Sequence, residues 1–312
     1  MRICILGGCG YVGTVLTDIL LKYKNVIKVI DIQWFGNRLQ KHKNLTVVKK
    51  DIRNITSKDF QSFDTIIHLA NIANDPTVEL QPNLSWDVNV MTMIKVLESA
   101  SKAGIKRFIY SSSGSVYGVK KEKRVTEDLS LNPISIYNKT KIVAEKILLN
   151  YSDNFDTICI RPATVCGYSP KMRLDLTVNL LTFQALNNKL IKVFGGQQVR
   201  PNIYIKDLCE IFRIATSKKI KSGVYNAGFE NVKVIDIARK IKKIIPCKIK
   251  IFSSNDPRSY RQDSTKILKV GFKPSYNIDF AINEIKERFS DGSLNYNINF
   301  YNLKKMKKLN IK

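Results

Sequence analysis

The chain has 312 residues, 44% of them hydrophobic and 25% charged, which suits a soluble globular protein with one large core or two modest ones and excludes a disordered chain. Its 52 lysines and arginines outnumber its 26 acidic residues for a net charge of +26. The excess is spread through helices and turns, and only Lys304, Lys305, Lys307 and Lys308 cluster densely, so no dedicated nucleic-acid or membrane surface is expected.

No apolar run reaches bilayer-spanning length, and the first strand begins at residue 2, which leaves no room for a signal peptide. A cytoplasmic protein is expected. Cys4, Cys9, Cys159, Cys166, Cys209 and Cys247 are scattered, without the paired spacing of a zinc site or a secreted disulfide framework, so they read as reduced and structural and no metal is expected.

The first element is the apolar run Ile3-Cys-Ile-Leu6, which breaks into Gly7-Gly-Cys-Gly10-Tyr11-Val12-Gly13 and resumes as an amphipathic pattern. This reads as strand, tight turn and helix. Glycines at that spacing let the backbone turn sharply, approach a diphosphate and pack helix against strand, with phosphate charge meeting unpaired helix N-terminal amides. Gly7, Gly10, Tyr11, Val12 and Gly13 are therefore candidate cofactor contacts. The plain alternative, an ordinary βαβ unit with a glycine-rich turn, loses ground to a second apolar run, Val26–Ile30, ending at Asp31. A carboxylate about twenty residues beyond the turn accepts hydrogen bonds from an adenosine ribose. It also repels a 2′-phosphate, and Ile32, Gln33 and Trp34 bring no cation. NAD is favoured over NADP, with Arg38 too far along the loop to reverse the preference.

Next come a loop with a short helix, a third strand over Leu45–Val48, and a helix ending near Phe63. Thr65–Ala70 reads as a fully buried strand, and the polar loop Asn71–Pro76 behind it should sit over the cofactor at the carboxyl ends of the strands. Asp87–Ala103 has helical periodicity with a Gly104 stop, Arg107–Ser111 is a fifth strand, and Ile136–Tyr151 is a long helix. This alternation predicts an α/β fold, a Rossmann-type doubly wound parallel sheet. From about Gly167 the alternation breaks, with Pro170, Pro201 and Pro257 in loop-rich segments. Residues 1–166 are expected to form the dinucleotide-binding domain, and residues 167–312 a smaller substrate-binding region that borrows strands from the main sheet.

Two constellations carry chemistry: Ser111-Ser-Ser-Gly-Ser-Val-Tyr-Gly118 at a strand end and Tyr137-Asn-Lys-Thr-Lys141 at a helix start. Tyrosine and lysine four apart share one helix face. An ammonium beside a phenol is expected to lower the tyrosine pKa and make it a general base for a hydroxyl proton while hydride leaves to nicotinamide. Ser113 can hydrogen-bond the same substrate oxygen, with Ser111, Ser112 and Ser115 as alternatives. Taken alone, a Tyr/Lys pair is more often a surface helix with a snorkelling lysine. Behind a dinucleotide turn and a serine-rich strand end, the catalytic reading prevails.

With these residues in view, the chain resembles the extended short-chain dehydrogenase/reductases of the NAD-dependent epimerase/dehydratase family, which act on nucleotide sugars. The likeness runs nearly end to end, through Gly7–Gly13, Asp31, Lys50-Asp51-Ile52, His68-Leu69-Ala70, Ser112–Gly118, Tyr137-x-x-x-Lys141, Arg161-Pro162 and Gly195–Asp207. It implies that Asp51 and Ile52 lie against adenine, that Leu69 and Ala70 border the cofactor, and that Ser113, Tyr137 and Lys141 are catalytic. It further implies that Arg200 and Arg258 bind the substrate diphosphate, with Asn179 near it. The chain departs from the family pattern at Asn71, where alanine is more usual, and in Arg161–Gly167, which replaces a more common asparagine-tyrosine strand end.

Family dehydratases and decarboxylases place an acid between the catalytic serine or threonine and Val-Tyr-Gly; here those positions are Gly114 and Ser115. Without that second proton-transfer group, the remaining chemistry is hydride exchange at a sugar carbon, C4 in most relatives. The expected function is a nucleotide-sugar 4-epimerase. A 4-dehydrogenase or reductase that releases its product is the alternative, since sequence does not reveal whether the keto sugar can turn in the pocket. A non-enzymatic NAD-binding protein is disfavoured by Tyr137 and Lys141. Apolar residues on several faces of the two long helices (Val90, Met91, Met93, Ile94 and Leu97; Ile142, Val143, Ile147 and Leu148) predict a homodimer or dimer of dimers built on a four-helix bundle.

Overall fold

A computed structural model describes residues 1–309 except 255 and 257, so the expectation for Pro257 lies outside the described residues. In chain order the first half comprises β1 (Arg2–Leu6), α1 (Tyr11–Lys22), β2 (Val26–Asp31), β3 (Leu45–Lys49), β4 (Thr65–His68), α2 (Asp75–Leu80), α3 (Pro82–Trp86), α4 (Thr92–Lys102), β5 (Arg107–Ser111), α5 (Ile136–Leu149) and β6 (Asp156–Pro162). The second half comprises β7 (Thr164–Cys166), α6 (Thr177–Asn188), β8 (Leu190–Phe194), β9 (Val199–Tyr204), α7 (Ile205–Ala215), β10 (Gly223–Ala227), β11 (Glu230–Lys233), α8 (Val234–Ile244), β12 (Lys248–Phe252), α9 (Thr265–Lys269), α10 (Ile278–Ser290) and α11 (Asn302–Leu309).

The central sheet has seven parallel strands in the order β10-β6-β5-β4-β1-β2-β3. Strand order reverses between β1 and β4, and a crevice opens there at the carboxyl ends of the strands. The central strands are apolar on both faces because helices cover both: β4 is buried throughout, and Ile3, Ile5 and Ile67 face one core while Cys4, Leu6 and Ile66 face the other. The edge strand β10 returns from the second half to pair with β6. Arg107 anchors this return. Its guanidinium donates to the carbonyls of Ala215, Ser217 and Ile220 at 2.9, 2.7 and 3.0 Å, satisfying the backbone where α7 ends. Two small sheets, β11-β9-β7 and β12-β8, stand beside the main one.

The helices expected after Asp31 and before Phe63 are not α-helices. Residues 32–44 are irregular, and the second segment is two 3₁₀ turns, Ile52–Asn54 and Ser57–Phe60, because Asp51 and Thr56 cap them so closely that no longer helix starts. Pro201 is inside β9, opposite Asn231 in β11, and not in a loop. The helix expected over Asp87–Ala103 begins earlier, at Pro82, and passes through a π turn at Asp87–Met91 before α4. The Thr92 hydroxyl donates to the Asp87 carbonyl at 2.9 Å across this turn. Five of the nine apolar residues read as dimer contacts, Val90, Met93, Leu97, Ile142 and Leu148, are buried within the chain itself, while Met91 stays exposed. No helix among the described residues is long and apolar enough to cross a membrane.

Candidate active site

The crevice is a single cavity of about 660 Å³. At one end lies the glycine-rich turn. Gly7 has φ +82°, and a Cβ there would sit 2.5 Å from the Ala70 nitrogen; at Gly13 a Cβ would meet Gly8 Cα at 2.6 Å. Only glycine permits this close approach of β1, α1 and the end of β4. The N-terminus of α1 has no side-chain cap and no acidic residue in its first turn, so its positive end is open to an anion. Asp31, at the end of β2, accepts from the Cys9 and Gln33 amides at 3.0 and 2.6 Å. Each carboxylate oxygen therefore keeps a lone pair for a ribose hydroxyl. Burial raises the Asp31 pKa, against the two amide bonds that lower it.

Gly10, Tyr11, Val12, Leu69 and Ala70 border the same end, as do Asp51 and Ile52. Asp51 is held by Arg53, which donates from Nε and a terminal nitrogen at 3.0 and 2.7 Å. These residues form a glycine-lined cradle and a ribose acceptor that fit NAD. Arg38 stacks on Phe300, 5.5 Å from the ring centre, and the cation facing Asp31 is Lys171 from the second half of the chain.

At the middle of the cavity α5 presents Tyr137 and Lys141, and the strand end after β5 presents Ser113. Ser113 lies close enough to the Tyr137 phenol to favour its ionised form, and its hydroxyl is 2.8 Å from that of Ser115. Ser112 turns away to donate to Glu145, and Ser111 contributes its carbonyl, which accepts from Lys141 Nζ at 2.8 Å. Lys141 Nζ lies 5.9 Å from the centre of the Tyr137 ring. The acid/base expectation needs a correction here. Burial pushes the Tyr137 phenol up to about 12, with Ser113 opposing, and burial pushes Lys141 down to about 7. Without ligand the enclosed ammonium is the less stable partner, so the pair does not hold a ready phenolate.

Gly114 is tightly enclosed: a Cβ would lie 3.0 Å from Gln262 Oε1 and 3.1 Å from the Pro162 carbonyl. The other cavity carboxylates near Tyr137 are engaged. Asp175 pairs with Arg173 at 3.0 Å and accepts from Asn74 at 2.8 Å, and Asp75 pairs with Arg258 and Ser135.

The far end carries Arg200 and Arg258, both tied to Asp256 at 2.7 Å. Asn179 is not on the cavity. It is fully buried, accepting from the Gly167 amide at 3.0 Å and donating to the Tyr11 hydroxyl and the Arg173 carbonyl, each at 3.1 Å, because α6 packs it beneath that wall. Sequence reasoning missed Lys171, Arg173 and Asp175, whose only signal is a run of charges following the strand end at Cys166, and Asn302 and Leu303, which return from the C-terminal segment to the cavity with no local signal at all.

A doubly wound sheet with a glycine-rich turn and a Ser/Tyr/Lys cluster at its switch point defines an NAD-dependent enzyme of the extended short-chain dehydrogenase/reductase type. Residues 3–228 match the model of the NAD dependent epimerase/dehydratase family, and the chain belongs to that family. It is 30% identical over 314 residues to a UDP-glucose 4-epimerase of Lactobacillus helveticus, covering 90% of this chain and 95% of that one. Among solved structures, UDP-glucuronic acid 4-epimerase from Bacillus cereus, in complex with UDP-glucuronic acid and NAD, is 28% identical with a TM-score of 0.81, covering 92% of this chain and 99% of that one. UDP-N-acetylglucosamine 4-epimerase from Methanobrevibacter ruminantium M1 shares the fold, with a TM-score of 0.86 at 23% identity over 93% of this chain and 98% of that one.

Proposed function

We propose that the protein is a nucleotide-sugar 4-epimerase that oxidises and re-reduces C4 of a nucleoside-diphosphate sugar, with a UDP-hexose the first substrate to test. The observation that carries this reading is one cavity with an anion cradle at one end, Ser113, Tyr137 and Lys141 at its middle and two arginines at the other, with no free carboxylate beside Tyr137 among the described residues. The L. helveticus relative supports the choice of substrate.

NAD supplies hydride acceptance and return at this site. Tyr137 is the group that takes the C4 hydroxyl proton on its phenol oxygen and gives it back; Ser113 holds the same substrate oxygen; Lys141 stabilises the phenolate once substrate is in place. Arg200 and Arg258 hold the diphosphate so that the sugar can present either face of C4. Hydride and proton leave and return in equal number, so no external redox partner is consumed. With glycine at position 114 and the nearby acids paired, no agent for eliminating water is present among the described residues.

Residues 1–166 serve as the cofactor domain and 167–312 as the substrate region, and the enzyme works in the cytoplasm as a homodimer. Met91, Ile94, Val143 and Ile147 are the residues of the expected interface left wholly or partly exposed for that contact. The test is incubation with a panel of nucleotide sugars and analysis by NMR and mass. Appearance of the C4 epimer supports the proposal; a released 4-keto sugar with stoichiometric NADH, or no turnover across the panel, overturns it.

A further inference from the structure

The segment after β7 turns back over the glycine-rich turn. Tyr11 seats it: the Tyr11 hydroxyl donates to the Gly167 carbonyl at 2.7 Å, and the Ser169 hydroxyl donates to the Tyr11 carbonyl at 2.8 Å. Lys171 follows directly, 2% exposed, on the cavity wall with Asp31, Phe35 and Asn302. Its Nζ donates to Asn302 Oδ1 at 2.9 Å and lies 4.3 Å from the centre of the Phe35 ring. Among the described residues no carboxylate forms an ion pair with it. The nearest candidates are engaged: Asp175 is bound by Arg173 through both oxygens, and Asp31 accepts two backbone amides.

An enclosed ammonium with one amide partner and one ring face is under-compensated, and burial pushes its pKa down to about 7. A neutral side chain of the same length would fill the space at lower cost. The location indicates what balances the charge. Lys171 is close enough to act electrostatically on both Asp31, the candidate ribose acceptor, and Arg173, which in turn acts on Tyr137. The part of a dinucleotide between its adenosine ribose and its reactive ring is the diphosphate, and the open N-terminus of α1 faces the same space.

We propose that Lys171 binds the dinucleotide's diphosphate from the side opposite the glycine-rich turn, completing a clamp whose other jaw is the N-terminus of α1. This rests on the cavity being the dinucleotide site and is independent of which sugar is turned over.

The test uses the full chain with Lys171→Met, Lys171→Gln and Lys171→Arg, titrated by calorimetry with NAD, ADP-ribose, adenosine and UDP, and melted without ligand. Loss of one charge-assisted contact should weaken NAD and ADP-ribose about 10- to 100-fold in the Met and Gln variants, with Arg recovering most of it. Adenosine and UDP should hold within about twofold, and the ligand-free melting temperature should not fall. NAD affinity unchanged in the variants while wild type binds NAD overturns the Lys171 assignment alone. An equal loss for adenosine moves the contact to the nucleoside, and a loss confined to UDP moves it to the sugar nucleotide; either overturns the proposal. Wild type that binds no NAD overturns the dinucleotide reading of the cavity, and the proposal with it.

Discussion

Burial keeps the proton on Tyr137 and weakens the hold of Lys141 on its own, against Cys159 and Glu145, which favour the ammonium. Proton transfer at this site therefore depends on ligand changing the local charge. Tyr137→Phe should retain NAD affinity and lower turnover by about 10²- to 10⁴-fold, measured as kcat beside calorimetric NAD binding. Ser113→Ala should cost about 10²-fold, and Ser112→Ala should act through stability instead, since Ser112 bonds Glu145 and not Tyr137. Asp31→Ala should narrow the preference for NAD over NADP, read as the ratio of dissociation constants. The two buried lysines also set a pH dependence. In the unfolded chain lysine titrates near about 10.4, so between about pH 7 and 10 the unfolded state binds more protons than the folded one. Stability of the ligand-free protein should rise with pH across that window. Above about 10 the trend should reverse, because unfolded tyrosines ionise while Tyr137 keeps its proton until about 12. Melting temperatures from pH 6 to 11 check both arms, and Lys171→Met should flatten the first.

At the level of elements, the site is held by helix faces and strand ends tied together in the interior. Glu145, one turn beyond Lys141 on α5, is 3% exposed and accepts from Arg161 of β6 at 2.8 Å; Arg161 goes on to the Tyr117 hydroxyl at 2.7 Å. Removing one member of such a buried pair strands the other, so Glu145→Ala should destabilise by about 3–5 kcal/mol in chemical denaturation. The π turn has a comparable positioning role. Its Asn89 side chain accepts from the Ile72 amide at 2.8 Å and donates to the Ile72 carbonyl and to Thr140, fastening the loop over the cavity to α5. Asn89→Ala should cost about 1–3 kcal/mol, since Ile72 is left with unpaired buried groups.

For the molecule as a whole, a charge of +26 surrounds the cavity proposed to take a dinucleotide and a nucleotide sugar. Long-range attraction of anionic ligands should speed their capture, and association rates for NAD and nucleotide sugars in stopped flow should fall as salt rises, because screening shortens the field. Assembly is a separate matter. Five of the nine apolar residues that suggested a four-helix interface are buried inside one chain, where α4 and α5 pack on the sheet and on each other, and Met91 is the most exposed of the rest. Sedimentation at micromolar concentration should give a dimer, and Met91→Asp should shift it toward monomer without loss of fold.

The sequence by itself determined the parts whose physics is local. A glycine turn that only a close approach explains, a carboxylate at the end of the second strand, and tyrosine and lysine one helical turn apart are each legible because their geometry is set by neighbours in the chain. Arg200 and Arg258 could be read only through resemblance; both line the cavity, and the diphosphate role is part of the proposal. Tertiary structure decided what depends on distant segments. It turned Asn179 inward and placed Lys171 and Asn302 together on the cavity wall. It also chose Ser113 and Ser115 over Ser112 by giving Ser112 a buried acid, and reversed the expected tyrosine shift through burial, a quantity no spacing encodes. Periodicity records which residues leave water; which buried partner each one meets is settled when strands and loops far apart in sequence close over the same space.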